Sequence, residues 1–219
     1  MRLLLIRHGQ TPNNAARSLD TAFPGAGLTR LGEQQAEAVP VALKDQQITA
    51  VYASPLIRTQ LTARPLASSL GLDIRIVPGL EEVGAGALEM LNDAESVAAY
   101  AECVVGWMEG DLDRRMPGGA TGREFLDRYD RAVQQIAGNH GPGDRVAVFS
   151  HGAAIRTYTA VSTGMDPTAV RNLTIQNTGM SVLAEDAWSR WTLECWHAEP
   201  LGGSGLSSVL QNDGTGVAP

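Results

Sequence analysis

Short apolar runs alternate with longer stretches of helical period along most of this 219-residue chain, and that alternation restricts the fold more than any other feature. LLLI (3–6) has the length of a buried strand, and AVYAS (50–54), LDIRIVP (72–78) and RVAVFS (145–150) also look like strands. MSVLAE (180–185) and RWTLECW (190–196) read as a late hairpin. Helical patterns cover roughly 30–46, 56–71, 94–109, 121–138 and 151–163. Strands separated by helices specify an α/β fold, with a mostly parallel sheet covered on both faces. TGRE (121–124) has the form of a capping box at a helix start. Pro40 falls inside the first helical pattern and is expected to kink or split it.

The length fits one domain, placed at 1–200. From 201 to 219 the chain turns Gly/Ser-rich, and this stretch reads as a mobile C-terminal tail. A net charge of −7 argues against a nucleic-acid surface, which needs basic patches, but leaves room for a small cationic pocket. Cys103 and Cys195 show no metal-ligand spacing and read as buried free thiols in a reducing compartment, with no structural metal expected. The four-residue apolar run at 3–6 is too short for a signal-peptide core, and no stretch approaches a membrane span. A cytoplasmic protein with no membrane partner is the expectation. The oligomeric state is left open, with a homodimer as one candidate.

Four segments follow strands and carry chemistry: RHGQTPNN (7–14), SPLIRTQLTA (54–63), LEEVGAGALE (80–89) and SHGAAIR (150–156). Parallel strands present their carboxyl ends on one edge, where open α/β sheets bind ligands. Arg7, His8, Arg58, Glu82 and His151 can therefore meet although scattered in sequence. Guanidinium groups match phosphate oxygens in a bidentate fork. A histidine among them can attack phosphorus, a protonated second histidine can stabilise developing charge, and a carboxyl group can protonate the leaving oxygen. Fixed cations of this kind substitute for metal ions in phosphoryl transfer.

RHGQTxxN, the S-x-L-x-R-x-x-x-T-A segment, L-x-E followed by Gly and Glu, a PGG turn (117–119) and SHGxxIR occur in that order over most of 1–185. This set resembles the histidine phosphatase superfamily, in the branch named after cofactor-dependent phosphoglycerate mutase. The resemblance implies a three-layer α/β/α sandwich and a metal-independent phosphomonoesterase without a cofactor. It implies that His8 becomes phosphorylated and that Arg7, Arg58 and His151 hold the phosphoryl group. Asn14 would be a polar contact after the first loop, Gly152 would offer a backbone N–H, and Glu82 would be the acid. A register one residue off would make Glu81 the acid instead. The chain departs from the family pattern at AFPGAG before Leu28, at GALEM (86–90) and at PGGAT (117–121), all on loops that bear on the substrate.

The substrate expected is a small phosphorylated metabolite. Phosphoglycerate mutase chemistry is the alternative, disfavoured because GALEMLND follows the acid where mutases carry an E-R-x-Y-G-type insertion. A non-catalytic phosphoryl-binding scaffold is the third reading. In a cationic pocket His151 is expected to stay charged near neutral pH, and Glu82 must hold a proton against nearby arginines, so an acidic optimum is expected. His140 and His197 have no partner pattern and read as surface or structural. Tyr100, Val104, Trp107 and Met108 read as the buried stripe of an amphipathic helix rather than a lid, and Arg114 and Arg115 as exposed rather than substrate-binding.

Overall fold

The computed structural model describes residues 1–186, 190–207 and 215–216. In chain order the elements are β1 (Arg2–Arg7), α1 (Pro12–Ala15), α2 (Arg30–Ala42), β2 (Ala50–Ala53), α3 (Ile57–Leu70), β3 (Ile74–Ile76), α4 (Ala94–Met108), α5 (Gly122–Ala137), β4 (Arg145–Ser150), α6 (Gly152–Ser162), α7 (Pro167–Val170), β5 (Met180–Glu185) and β6 (Trp191–His197). All six strands and all five long helices expected from the sequence are present, with ends shifted by a few residues. The short α1 and α7 were not anticipated. Each begins at a proline after a capping side chain, Thr11 or Asp166, a signal too short to show as periodicity.

The strands form one sheet in the order β3-β2-β4-β1-β5-β6. Pairings among β3, β2, β4 and β1 are parallel, and β5 runs antiparallel to both β1 and β6. Every residue of β1 from Leu3 onward is buried, because both faces of the sheet are covered. Leu3, Leu5, Tyr52, Val146 and Val148 pack with α4, α5 and α6 on one face. Leu4, Ile6, Val51, Ala147 and Phe149 pack with α2 and α3 on the other. The result is the three-layer sandwich.

Helix α5 begins as expected: the Thr121 side chain accepts from the Glu124 N–H, and the Glu124 carboxylate accepts from the Thr121 N–H. Tyr100, Val104, Trp107 and Met108 are buried core residues of α4, whereas Arg114 and Arg115 are exposed in ion pairs with Glu102 and Glu124. Pro40 does not split α2, which continues past it to Ala42; the ring removes only the bond its own missing N–H would have made. Cys103 is buried, but Cys195 is exposed, which corrects the expectation for that residue. Cys195 sits on the edge strand β6 beside a register shift at Val182/Leu183, and the bulge turns its side chain out. Of the tail, 208–214 and 217–219 lie outside the described residues, while Thr215 and Gly216 pack against the main body. Among the described residues no helix is long and apolar enough to cross a membrane.

Candidate active site

The register of β1 and β4 builds the centre of the site. Arg7 pairs with Ser150, so the next residue on each strand, His8 and His151, emerges beside the other. Their ring centroids are 5.3 Å apart in an edge-on arrangement. The neighbouring pair Ala53 and Phe149 brings Ser54 alongside, and Ser54 Oγ lies 2.8 Å from His151 Nε2. Strand pairing alone therefore gathers residues from three distant parts of the sequence.

His8 is buried, and its Nδ1 lies 2.8 Å from the Gly9 carbonyl oxygen. A carbonyl can only accept, so neutral His8 carries its proton on Nδ1 and keeps the lone pair on Nε2. The backbone around it is fixed by His8 N–H to the Ser150 carbonyl, 3.0 Å, and by Asn177 Nδ2 donating to the His8 carbonyl, 3.1 Å. Gly9 has to be glycine for contact reasons, since a Cβ there would lie 2.6 Å from the Gly32 carbonyl oxygen.

Arg7 and Arg58 flank the histidines, both buried. Arg7 Nη1 donates to the Ile175 carbonyl (2.8 Å) and Nη2 to Thr215 Oγ1 (3.0 Å), so the docked tail residue touches the site. Arg58 stands in the first turn of α3, where Nη2 donates to the Asp20 carbonyl (2.9 Å) and Nη1 lies 3.6 Å from the Asp20 carboxylate. Its Nε, together with His151 Nδ1, has no hydrogen-bond partner among the described residues. Gly152 opens α6 beside Arg7; a Cβ there would lie 2.9 Å from Arg7 Nε. Asn14 is committed to the loop: its Oδ1 accepts from the Thr11 N–H (3.0 Å) and from Asn177 Nδ2 (3.2 Å).

The two candidate acids separate cleanly. Glu81 points away from the histidines, pairs with Arg128 at 2.8 Å and is partly exposed. Glu82 is buried and lies over the start of α6, where its Oε1 accepts from Ala154 N–H (2.8 Å) and Val83 N–H (2.9 Å) and its Oε2 from Ala153 N–H (3.2 Å). Helix α6 has no cap from its own His151 side chain, so a carboxylate from a distant segment fills that role. Burial raises the Glu82 pKa, while these N–H donors, Arg58 and Arg7 oppose the rise.

Burial also depresses both histidines well below the ordinary value, reinforced at His8 by Arg58 and then Arg7, and at His151 by Arg58 and then His8. This corrects the expectation that a cationic pocket keeps His151 charged. Burial first, and then the arginines, disfavour a proton on His151 in the free protein, and a bound anion would act in the opposite direction.

Sequence reasoning missed Ser54, Asn177, Asp20 and Thr62. Thr62 Oγ1 receives the Gly9 N–H at 2.9 Å and donates to the Arg58 carbonyl at 2.6 Å, tying the two loops together. Ser54 and Thr62 flank Arg58 inside a segment that was singled out, but hydroxyl residues are too common for their contacts to be read from type. His140 is structural, bonded to Tyr52 (3.0 Å) and Asp144 (3.3 Å) away from the site, and His197 is exposed. No group of three or more His, Cys, Asp or Glu among the described residues could hold a metal ion.

Residues 3–199 match the family model for the histidine phosphatase superfamily (branch 1). A PE-PGRS family protein of Mycobacterium tuberculosis (strain ATCC 25618 / H37Rv) is 34% identical over 220 residues; the match takes in 94% of this chain but only 38% of that relative's length. "Probable phosphoglycerate mutase GpmB" of Escherichia coli O1:K1 / APEC is 31% identical over 206 residues, covering 92% of this chain and 93% of its own. Among solved structures, mycobacterial glucosyl-3-phosphoglycerate phosphatase complexed with VO3 superposes with a TM-score of 0.77 at 25% identity, over 90% of this chain and 99% of that one.

Proposed function

The chain belongs to the histidine phosphatase superfamily, and from that premise we propose that it hydrolyses phosphoric monoesters of small metabolites through a phosphohistidine on His8. The observation that carries this reading is the fixed tautomer of His8 between two buried arginines, with the buried carboxyl of Glu82 bound to the adjoining helix start. Nε2 of His8 attacks phosphorus as the bond to the leaving oxygen breaks, and Glu82 gives its proton to that oxygen. Water then attacks the phosphohistidine, its proton passes to the Glu82 carboxylate, the N–P bond breaks, and phosphate leaves. Arg7, Arg58 and His151 hold the phosphoryl oxygens throughout, with Gly152 as a backbone donor. Asn14, whose Oδ1 is already bonded, shapes the His8 loop. Positive side chains take the place that metal ions fill in other phosphoryl-transfer sites.

The mycobacterial neighbour acts on a phosphorylated glycerate derivative, which supports a small phosphorylated metabolite as substrate class here. The mutase reading draws support from the E. coli relative's name, and the missing insertion after Glu82 weighs against it. We place the reaction in a reducing compartment such as the cytoplasm, where the free Cys103 and Cys195 stay thiols.

The test is phosphate release from a panel holding p-nitrophenyl phosphate, 3-phosphoglycerate, sugar phosphates and nucleotides, with EDTA present, beside His8→Ala. Release that survives EDTA and disappears in the variant is the expected result. Conversion of 3-phosphoglycerate to its 2-isomer without release would give the mutase instead. Tight phosphate binding with no turnover of any ester would leave the scaffold.

A further inference from the structure

The segment that carries Glu82 is not part of any helix or strand, yet five consecutive carbonyls along it are bonded to side chains. Arg128 of α5 supplies three of those bonds: Nη1 to Gly79 O at 2.8 Å, and Nη2 to Glu81 O at 3.2 Å and Glu82 O at 3.0 Å. Nη1 also meets the Glu81 carboxylate at 2.8 Å, and that carboxylate accepts from the Gly79 N–H at 2.7 Å. The other two carbonyls are held from elsewhere, Leu80 O by Ser150 Oγ at 2.9 Å and Val83 O by Tyr100 at 3.0 Å. Gly79 (φ +106°) lets the segment approach α5 closely; a Cβ there would lie 2.8 Å from Ala132 Cβ and 3.1 Å from the Arg128 carbonyl oxygen. The guanidinium carbon also lies over the Phe125 ring, 5.3 Å from its centroid.

An extended loop whose carbonyls faced only water would move with little penalty, and its carboxyl group would move with it. One planar cation with several donors removes that freedom. We infer that Arg128 is a positioning residue, which holds the 79–82 backbone so that the Glu82 carboxyl stays over the phosphoryl pocket. The inference rests on the proposed role of Glu82 as the acid. The Arg128 guanidinium is spent on the 79–82 segment and borders a cleft of about 700 Å³ lined also by Glu82, Trp107, Phe125 and Arg131.

An acid matters most when the leaving oxygen is basic. The readout is therefore kcat/KM, which covers steps up to the phosphohistidine, for p-nitrophenyl phosphate against an alkyl phosphate such as glycerol phosphate. Glu82→Gln is the reference and is expected to lose far more on the alkyl ester. Arg128→Gln is expected to lose at least about tenfold more on the alkyl ester than on p-nitrophenyl phosphate, with inhibition by inorganic phosphate unchanged. Arg128→Lys, with a point charge in place of the fork, should show the same selectivity at smaller size. Arg128→Ala should recover alkyl-ester turnover with millimolar guanidinium, which can reach the cleft. Equal losses on both esters, or none, would overturn the inference. If Arg128→Gln does not fold, Glu81→Ala carries the test: it removes one acceptor of the same cation and should give a smaller loss confined to the alkyl ester, a uniform loss again overturning the idea. A wild type that releases no phosphate from any ester, or a Glu82→Gln variant without leaving-group selectivity, would defeat the functional reading itself and the inference with it.

Discussion

The floor of the pocket and the Glu82 carboxyl above it, the proposed acid, are held in place by different means. Arg7, His8 and His151 stand at the ends of paired strands, and Arg58 stands in the first turn of a helix that follows one. Their positions are set by backbone ladders and by the core on both sides of the sheet. Glu82 stands on an irregular segment, and side chains from α4, α5 and β4 hold that segment carbonyl by carbonyl. Single substitutions can therefore loosen the acid while leaving the floor intact. The reverse is difficult, because the floor moves only with the sheet.

The largest effect should come from the floor. His8→Ala is expected to lower phosphate release on the order of 10³-fold or more for every ester, because the proposed intermediate forms on its ring. A loss restricted to some esters would mean that His8 binds instead of attacking. Next comes Glu82→Gln, expected to cost about 10²–10⁴-fold on alkyl esters and much less on p-nitrophenyl phosphate in kcat/KM. Equal losses would mean that the carboxyl serves the floor as a helix cap and not as an acid.

The pH dependence separates the two regions by sign. On the acid side kcat/KM should fall as His8 gains a proton, with a pKa below 6.5, since burial and the arginines depress it. On the alkaline side it should fall as Glu82 loses one, with a pKa above 4.5, since burial raises it. The optimum lies between these two limbs, and Glu82→Gln should remove the alkaline limb alone. Stability follows the same groups. With folded-state pKa values below the unfolded 6.5, His8 and His151 contribute stability that is complete above that pH and is lost as pH falls through the folded values. Glu82, raised above 4.5, contributes in the opposite sense: its part is complete below 4.5 and lost as pH rises through its folded value. Melting temperature against pH, compared between wild type and His151→Asn, measures the histidine part; a variant as acid-sensitive as the wild type would show that other groups govern the acid limb.

The smallest effect concerns the helix that presents Arg128. Thr121→Ala removes the cap of α5 and should destabilise the protein by about 1 kcal/mol in denaturant unfolding. At temperatures where the variant stays folded, turnover on both esters should change little, because the cap lies two turns from Arg128. A leaving-group-selective loss from this substitution would show that the acid segment senses the whole helix.

The strand–helix alternation and the charged residues at strand ends were readable because both are local: a buried strand needs a short apolar run, and a parallel sheet brings successive strand ends to one edge. TGRE was legible for the same reason, a capping box being complete within four residues. The exposure of Cys195 was not, because it depends on a bulge between two strands. Nor was the lowered pKa of His151, which follows from how deeply the pocket is buried and how near the arginines come. Residue types supplied the candidate reacting groups: a histidine after each of two strands, two arginines, and a pair of glutamates between which the sequence left the proposed acid open. Only the tertiary structure tells Glu82 and Glu81 apart, by turning one carboxyl onto the start of α6 and the other onto Arg128. Neighbouring residues on an irregular segment carry no periodicity that says which faces inward, so long-range hydrogen bonds make that choice.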